Sequence, residues 1–188
     1  MSQRRLVVEV ETTGLDFRKD EIIAIAIIDT SGKVLLDELY GASRKSRWPK
    51  MLRLHGITAT MVRGKDLVTK HVNEIQSIVE GRSIIAFDVD FHLRFLREAG
   101  VVFPSNVRTT DTMKKFARAY GEYDDYHSDP RYQSLQTAAH CVGYSWNGQN
   151  GALARARAAL AVQLALENGW KQKVQPRTIH CGYVDYFD

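Results

Sequence analysis

Residues 6–15 read LVVEVETTGL, an apolar run broken only by Glu9 and Glu11 and stopped by a Thr-Thr-Gly turn. The run reads as a buried strand, and a buried strand places its residues strictly. Residues i and i+2 face the same way, so the two carboxylates project together, about 6–7 Å apart along the backbone. Two like charges so placed destabilise a sheet unless a cation lies between them. Sites in open α/β sheets lie beyond the carboxyl ends of the central strands, where this pair falls. A carboxylate pair there is the start of a divalent-metal site, because Mg²⁺ prefers hard oxygen ligands. The competing reading is a solvated pair on an edge strand, since charged residues are normally exposed.

The chain of 188 residues suits one domain with a sizeable core. Strands are expected over 5–11, 21–29 and 33–40, the last two joined by the hairpin signal Thr30-Ser31-Gly32. GASRKSRWPK (41–50) reads as a basic loop, followed by a short HGIT segment at 55–58. Leu67, Val68, Val72, Ile75, Ile78 and Val79 share one face of an expected helix. A strand over 82–87, a helix closed by Gly100 and a brief strand over 107–110 follow. Asp111 is placed to cap the next helix, and helices over 134–143 and 151–169 come after a polar loop. Three opening strands, then helices alternating with strands, imply an α/β sheet of mixed direction. The domain is expected to occupy 1–169, leaving an extended C-terminal arm over 170–188. In that arm Tyr183, Val184, Tyr186 and Phe187 would pack back, pair with a second copy in a homodimer, or bind a protein partner.

No apolar stretch approaches the roughly 20 residues that span a bilayer, and the opening MSQRRLVVEVE has no signal-peptide core. No membrane partner is expected. Cys141 and Cys181 lack zinc-site spacing and read as reduced thiols, which fits a cytoplasmic setting. The net charge of +4 permits a polyanionic partner without demanding one.

EVETTGL, DEIIAIAIID, LHGITATMV, IIAFDVDFHLRFL, TTDTMKKFARAY, YQSLQTAAHCVGY and NGALARARAALA occur in that order. Together they resemble the DnaQ-like 3′–5′ exonucleases of the DEDDh type, over roughly residues 5 to 167. The resemblance implies a ribonuclease H-like mixed five-stranded sheet flanked by helices. It also implies a two-metal phosphodiesterase site, in which paired ions clamp the attacking and leaving oxygens. The family pattern would place acidic ligands at Glu9, Glu11, His92 and Arg155, and a base histidine at Asn150. Only Glu9 and Glu11 keep the carboxylate. Imidazole at His92 is a poor Mg²⁺ ligand, although Asp88 and Asp90 stand close by as displaced candidates. Asn150 cannot accept a proton near neutral pH, which would leave His140 or His127 to replace it. Arg155 is a permanent cation where a metal ligand belongs.

Arg155 is therefore expected to point into the old metal site and neutralise Glu9 and Glu11 with a planar guanidinium; the alternative is a side chain running out to solvent. The resemblance also implies that Thr12, Thr13, Gly14, Leu15 and His55 hold the end of a single strand. Arg44, Lys45, Arg47, Lys50 and Arg53 would hold phosphates, with Trp48 stacking a base. Three functions follow: an inactive or impaired exonuclease fold binding single-stranded DNA or RNA without a cofactor; an active exonuclease using Mg²⁺ or Mn²⁺ at Glu9 and Glu11; or a protein-interaction module.

Overall fold

A computed structural model describes residues 5–123, 129–146 and 150–172. Five strands form one sheet: β1 (Arg5–Thr12), β2 (Ile22–Asp29), β3 (Val34–Leu39), β4 (Ser83–Ala86) and β5 (Thr109–Asp111). Their order is β3-β2-β1-β4-β5. β1 is antiparallel to β2, and β2 to β3, whereas β4 is parallel to both β1 and β5. This is the expected mixed five-stranded sheet, with β1 at its centre. The helices are α1 (Pro49–His55), α2 (Ala59–Val62), α3 (Val72–Val79), α4 (Val89–Ala99), α5 (Thr112–Tyr120), α6 (Leu135–Cys141) and α7 (Ala152–Glu167). No helix among the described residues is long and apolar enough to cross a membrane.

The apolar run at the start of β1 is explained by burial on both faces. Leu6, Val8 and Val10 pack with Ile75 and Val79 of α3 and Leu93 and Leu96 of α4. Val7 packs the other way, with Ile85, Phe116 of α5, Ala138 of α6 and the alanines of α7. Each fully buried Val, Leu or Ile contributes about 1.5–3 kcal/mol. A sheet covered on both sides can thus carry buried charges that cost several kcal/mol each.

Two local expectations need correction. The apolar face over 67–79 is divided, with a 3-10 turn at Val68–His71 preceding α3. His71, at φ −107° and ψ 7°, leaves the helical region, and its ring packs edge-on to Tyr40 at 5.3 Å. The basic stretch is not loop throughout either, since α1 starts within it at Pro49 and runs to His55, and α2 follows the HGIT segment. Pro49 opens α1 at its first turn, where its missing N–H costs nothing. Of the C-terminal arm, Trp170 is described and stacks on Phe116 at 5.0 Å; Tyr183, Val184, Tyr186, Phe187 and Cys181 lie outside the described residues.

Candidate active site

Glu9 and Glu11 stand opposite Ala26 and Ala24 of β2. These small partners, and the alanines of α7, let the helix lie close against the sheet. Arg155 is one turn ahead of Ala158 and Ala159 and two ahead of Val162, all three fully buried. It therefore lies on the sheet-facing row of α7. Its Nε donates to Glu9 Oε1 at 2.7 Å and lies 3.2 Å from Glu11 Oε1. The side chains of Glu9 and Glu11 are 2% and 3% exposed, that of Arg155 18%. The guanidinium thus points into the carboxylate pair, not to solvent.

Nε carries one hydrogen, and Glu9 takes it. Glu11 Oε1 is left in ion-pair range without a hydrogen bond, and Glu9 Oε2 is also buried without one. Burial pushes the Glu11 carboxyl up to about 8; Arg155 opposes the rise and the charge of Glu9 adds to it.

His92 enters from α4 beside the open edge of β1. β4 pairs with β1 only as far as Val7, so the Val10 N–H has no ladder partner there. It donates instead to His92 Nδ1 at 3.1 Å. The opposite nitrogen, Nε2, lies 3.1 Å from the Phe87 carbonyl and 3.4 Å from Glu9 Oε2. A ring that accepts at Nδ1 must carry its proton at Nε2, which makes His92 a neutral bracket. Neither nitrogen offers a metal a lone pair, so ligation by His92 is not supported.

Asp88 and Asp90 do not replace the missing ligands. Asp88, at φ 71°, caps α4 through Phe91 N–H, and Asp90 pairs with Lys114 at 2.8 Å. Asp111 caps α5 through Lys114 N–H at 2.9 Å, as its position predicted. Among the described residues no group of three or more His, Cys, Asp and Glu side chains is arranged to hold a metal. The donor set itself fits a divalent ion poorly. One oxygen of Glu9 is taken by a cation, and that same cation stands 3.2 Å from the free oxygen of Glu11. Asn150 lies over Gly56, whose added Cβ would meet its Nδ2 at 2.9 Å. His140 is exposed on the last turn of α6, and His127 lies outside the described residues.

The structure joins the turn and the HGIT histidine. His55 Nε2 lies 3.2 Å from the Thr12 carbonyl, while Nδ1 accepts from Ile57 N–H at 3.0 Å. Burial lowers the His55 pKa to about 4 against the opposing bond to Thr12, with Arg155 lowering it further. Thr12 Oγ1 donates to the Gly14 carbonyl at 2.6 Å, and Thr13 Oγ1 to Asp20 at 3.0 Å. A Cβ on Gly14 would sit 2.3 Å from Asp20 Oδ2, so glycine is required there by space. Thr12, Thr13 and His55 are buried, whereas Leu15 is 56% exposed. A cleft of about 420 Å³ opens beside them, lined by His55, Gly56, Met61, Asn150, Ala154 and Arg157 among others.

Trp48 is not available to stack a base. It is buried, and its Nε1 donates to the Ile57 carbonyl at 2.7 Å. Sequence reasoning also missed Asp20, which gathers Thr13, Asp16 N–H and Lys45 at one carboxylate. Its only sequence signal is its place just before the second strand.

The exonuclease family model designated RNase T matches residues 6–160. The PolC-type DNA polymerase III of Thermotoga maritima is 34% identical over 94 residues, a match covering 49% of this chain and 7% of the polymerase. Its Thermotoga petrophila counterpart is 32% identical over 94 residues with the same coverage. The match thus spans less than a tenth of these curated relatives. A structure of exonuclease I aligns at TM-score 0.71 and 17% identity, over 91% of this chain and 42% of the other. Escherichia coli exonuclease I with a dT13 oligonucleotide aligns at 0.69 and 18%, over 90% and 42%. At such identities the structural likeness speaks for the fold, and the family model for descent. The chain belongs to the DnaQ-like, RNase T-type 3′–5′ exonuclease family.

Proposed function

We propose that this chain is an inactive or impaired member of its family that works by binding single-stranded nucleic acid ends. The observation that carries the reading is Arg155 between Glu9 and Glu11. A cation tied to the fold repels the divalent ion that phosphodiester displacement by this family requires, and Asn150 supplies no base in its place. The turn that would hold a strand end is intact. Direct contact there falls to the exposed Leu15 and the Gly14 backbone, while Thr12, Thr13 and His55 keep the turn in shape. Related folds have been captured with single strands, exonuclease I with dT13 and with dA16.

Two buried oxygens, Glu9 Oε2 and Glu11 Oε1, lack hydrogen bonds, and they favour a second reading, an active enzyme that displaces Arg155 to admit metal. Calorimetric titration with Mn²⁺ and Mg²⁺ separates the two. Wild type is expected to bind neither ion, and Arg155→Asp to take up Mn²⁺ with a rise in Tm. Uptake of two ions by wild type would overturn the inactive reading and support the second.

A further inference from the structure

The β1–β2 connection and the β3–α1 connection are bolted together beside the Thr-Thr-Gly turn. Glu21 accepts Ser43 N–H at 3.0 Å, Ser43 Oγ–H at 2.7 Å and Arg44 N–H at 2.7 Å. Arg44 Nη1 donates to the Arg18 carbonyl at 3.0 Å, and Lys45 pairs with the buried Asp20. Asp20 in turn holds Thr13 Oγ1 and the Asp16 N–H and packs on Gly14. The acidic groups of this corner are therefore spent inside it. Asp16 binds Lys19 at 3.1 Å and the Arg18 N–H at 3.0 Å. What faces outward carries an excess of cations: Arg18, Lys19, Arg44, Lys45 and Arg47 are all exposed, of which Lys19 and Lys45 are paired with Asp16 and Asp20, and residues 40–55 contain five Lys and Arg and no Asp or Glu.

We infer that this corner is a ridge for the phosphates of a single strand whose end lies at the Gly14–Leu15 turn, a reading that rests on the proposed function. Two features fix the kind of partner. The ridge is attached to the turn through Asp20 and Glu21, so a strand held at one meets the other without rearrangement. The aromatics of this corner are not open platforms either: Trp48 is buried under it, and Phe17 is partly buried with the Arg18 guanidinium over its ring at 5.5 Å. Contact is then made by charge alone, independent of base identity and steeply dependent on salt. A second cation-lined site for a small ligand would need an enclosed pocket; an open ridge suits a polymer.

The test uses 5′-labelled oligothymidylates, a short one covering the turn alone and a longer one reaching the ridge. Their binding is followed by fluorescence anisotropy across a salt series. The full chain is compared with the double variant Arg18→Glu/Arg47→Glu, whose side chains are exposed and whose fold is checked by its unfolding midpoint. Each lost phosphate contact removes about 0.7 from the slope of log affinity against log salt. The double variant should therefore flatten the slope for the long strand by about 1.4 and weaken its binding on the order of tenfold or more at low salt. It should bind the short strand as wild type does. Equal affinity and slope for the long strand in both proteins would overturn the ridge and leave strand-end binding standing. Failure of wild type to bind either strand would overturn both. Charge-dependent binding to phosphatidylcholine–phosphatidylserine vesicles, with none to the strands, would reassign the ridge to a lipid surface.

Discussion

Arg155 meets Glu9 and Glu11 with Nε as its nearest nitrogen. In lysine the atom at that distance from the backbone is a methylene, and the ammonium lies one bond further out. Arg155→Lys keeps the charge and still removes the donor, so it should lower stability by about 1–3 kcal/mol in urea unfolding. Glu11 gives the centre a pH signature. Its folded value of about 8 lies above the ordinary 4.5, so the folded chain binds the extra proton and stability falls as pH rises between them. His55 acts in the opposite sense. Its value drops from 6.5 to about 4, so the unfolded chain binds the extra proton and stability falls as pH drops through that window. The two oppose each other from 4.5 to 6.5, and above 6.5 only Glu11 acts. The unfolding free energy from urea titration should therefore decline from pH 6.5 to about 8, by at most about 1.4 kcal/mol per pH unit. Glu11→Gln should flatten this decline; an unchanged decline would remove Glu11 as its source.

At the scale of elements, β1 outruns its neighbour β4, and α4 makes up the difference with one side chain. His92 supplies the acceptor that a longer β4 would have supplied to Val10 N–H. His92→Ala leaves that buried N–H unpaired and opens a cavity beside Glu9, which should cost about 3 kcal/mol. Hydrogen exchange at the Val10 amide reports it directly, and should speed up more than exchange at Val8 on the same strand. If Val8 and Val10 lost protection equally, the bracket would not be local. The family pattern has an acidic ligand at this position, and here the residue secures a strand end.

Across the whole molecule, the strands and the mixed direction of the sheet were legible because hydrophobic run, hairpin signal and helix caps agree with one another. The carboxylate pair and the Asp111 cap were legible for the same reason, since i, i+2 spacing and cap position are local. α1 was hidden because its cations look like solvated loop, although Pro49 marked its start. Trp48 misled in the same stretch: charged neighbours describe the surface around an aromatic, and do not say that the ring itself is outside. The direction of Arg155 was recorded in its spacing to Ala158, Ala159 and Val162, the row that must face the sheet if α7 is to bury anything. The orientation of His92 had no such signal, because it depends on where β4 stops relative to β1. Arg155 is, finally, a counter-ion that cannot be dialysed away. Once α7 has docked on β1 it is presented to the glutamates at a fixed, high effective concentration, and an ion from solution competes against a tethered rival. Electroneutrality at the centre of this protein is therefore acquired in the act of folding, and chelators or changes in the ionic medium should leave it as it is.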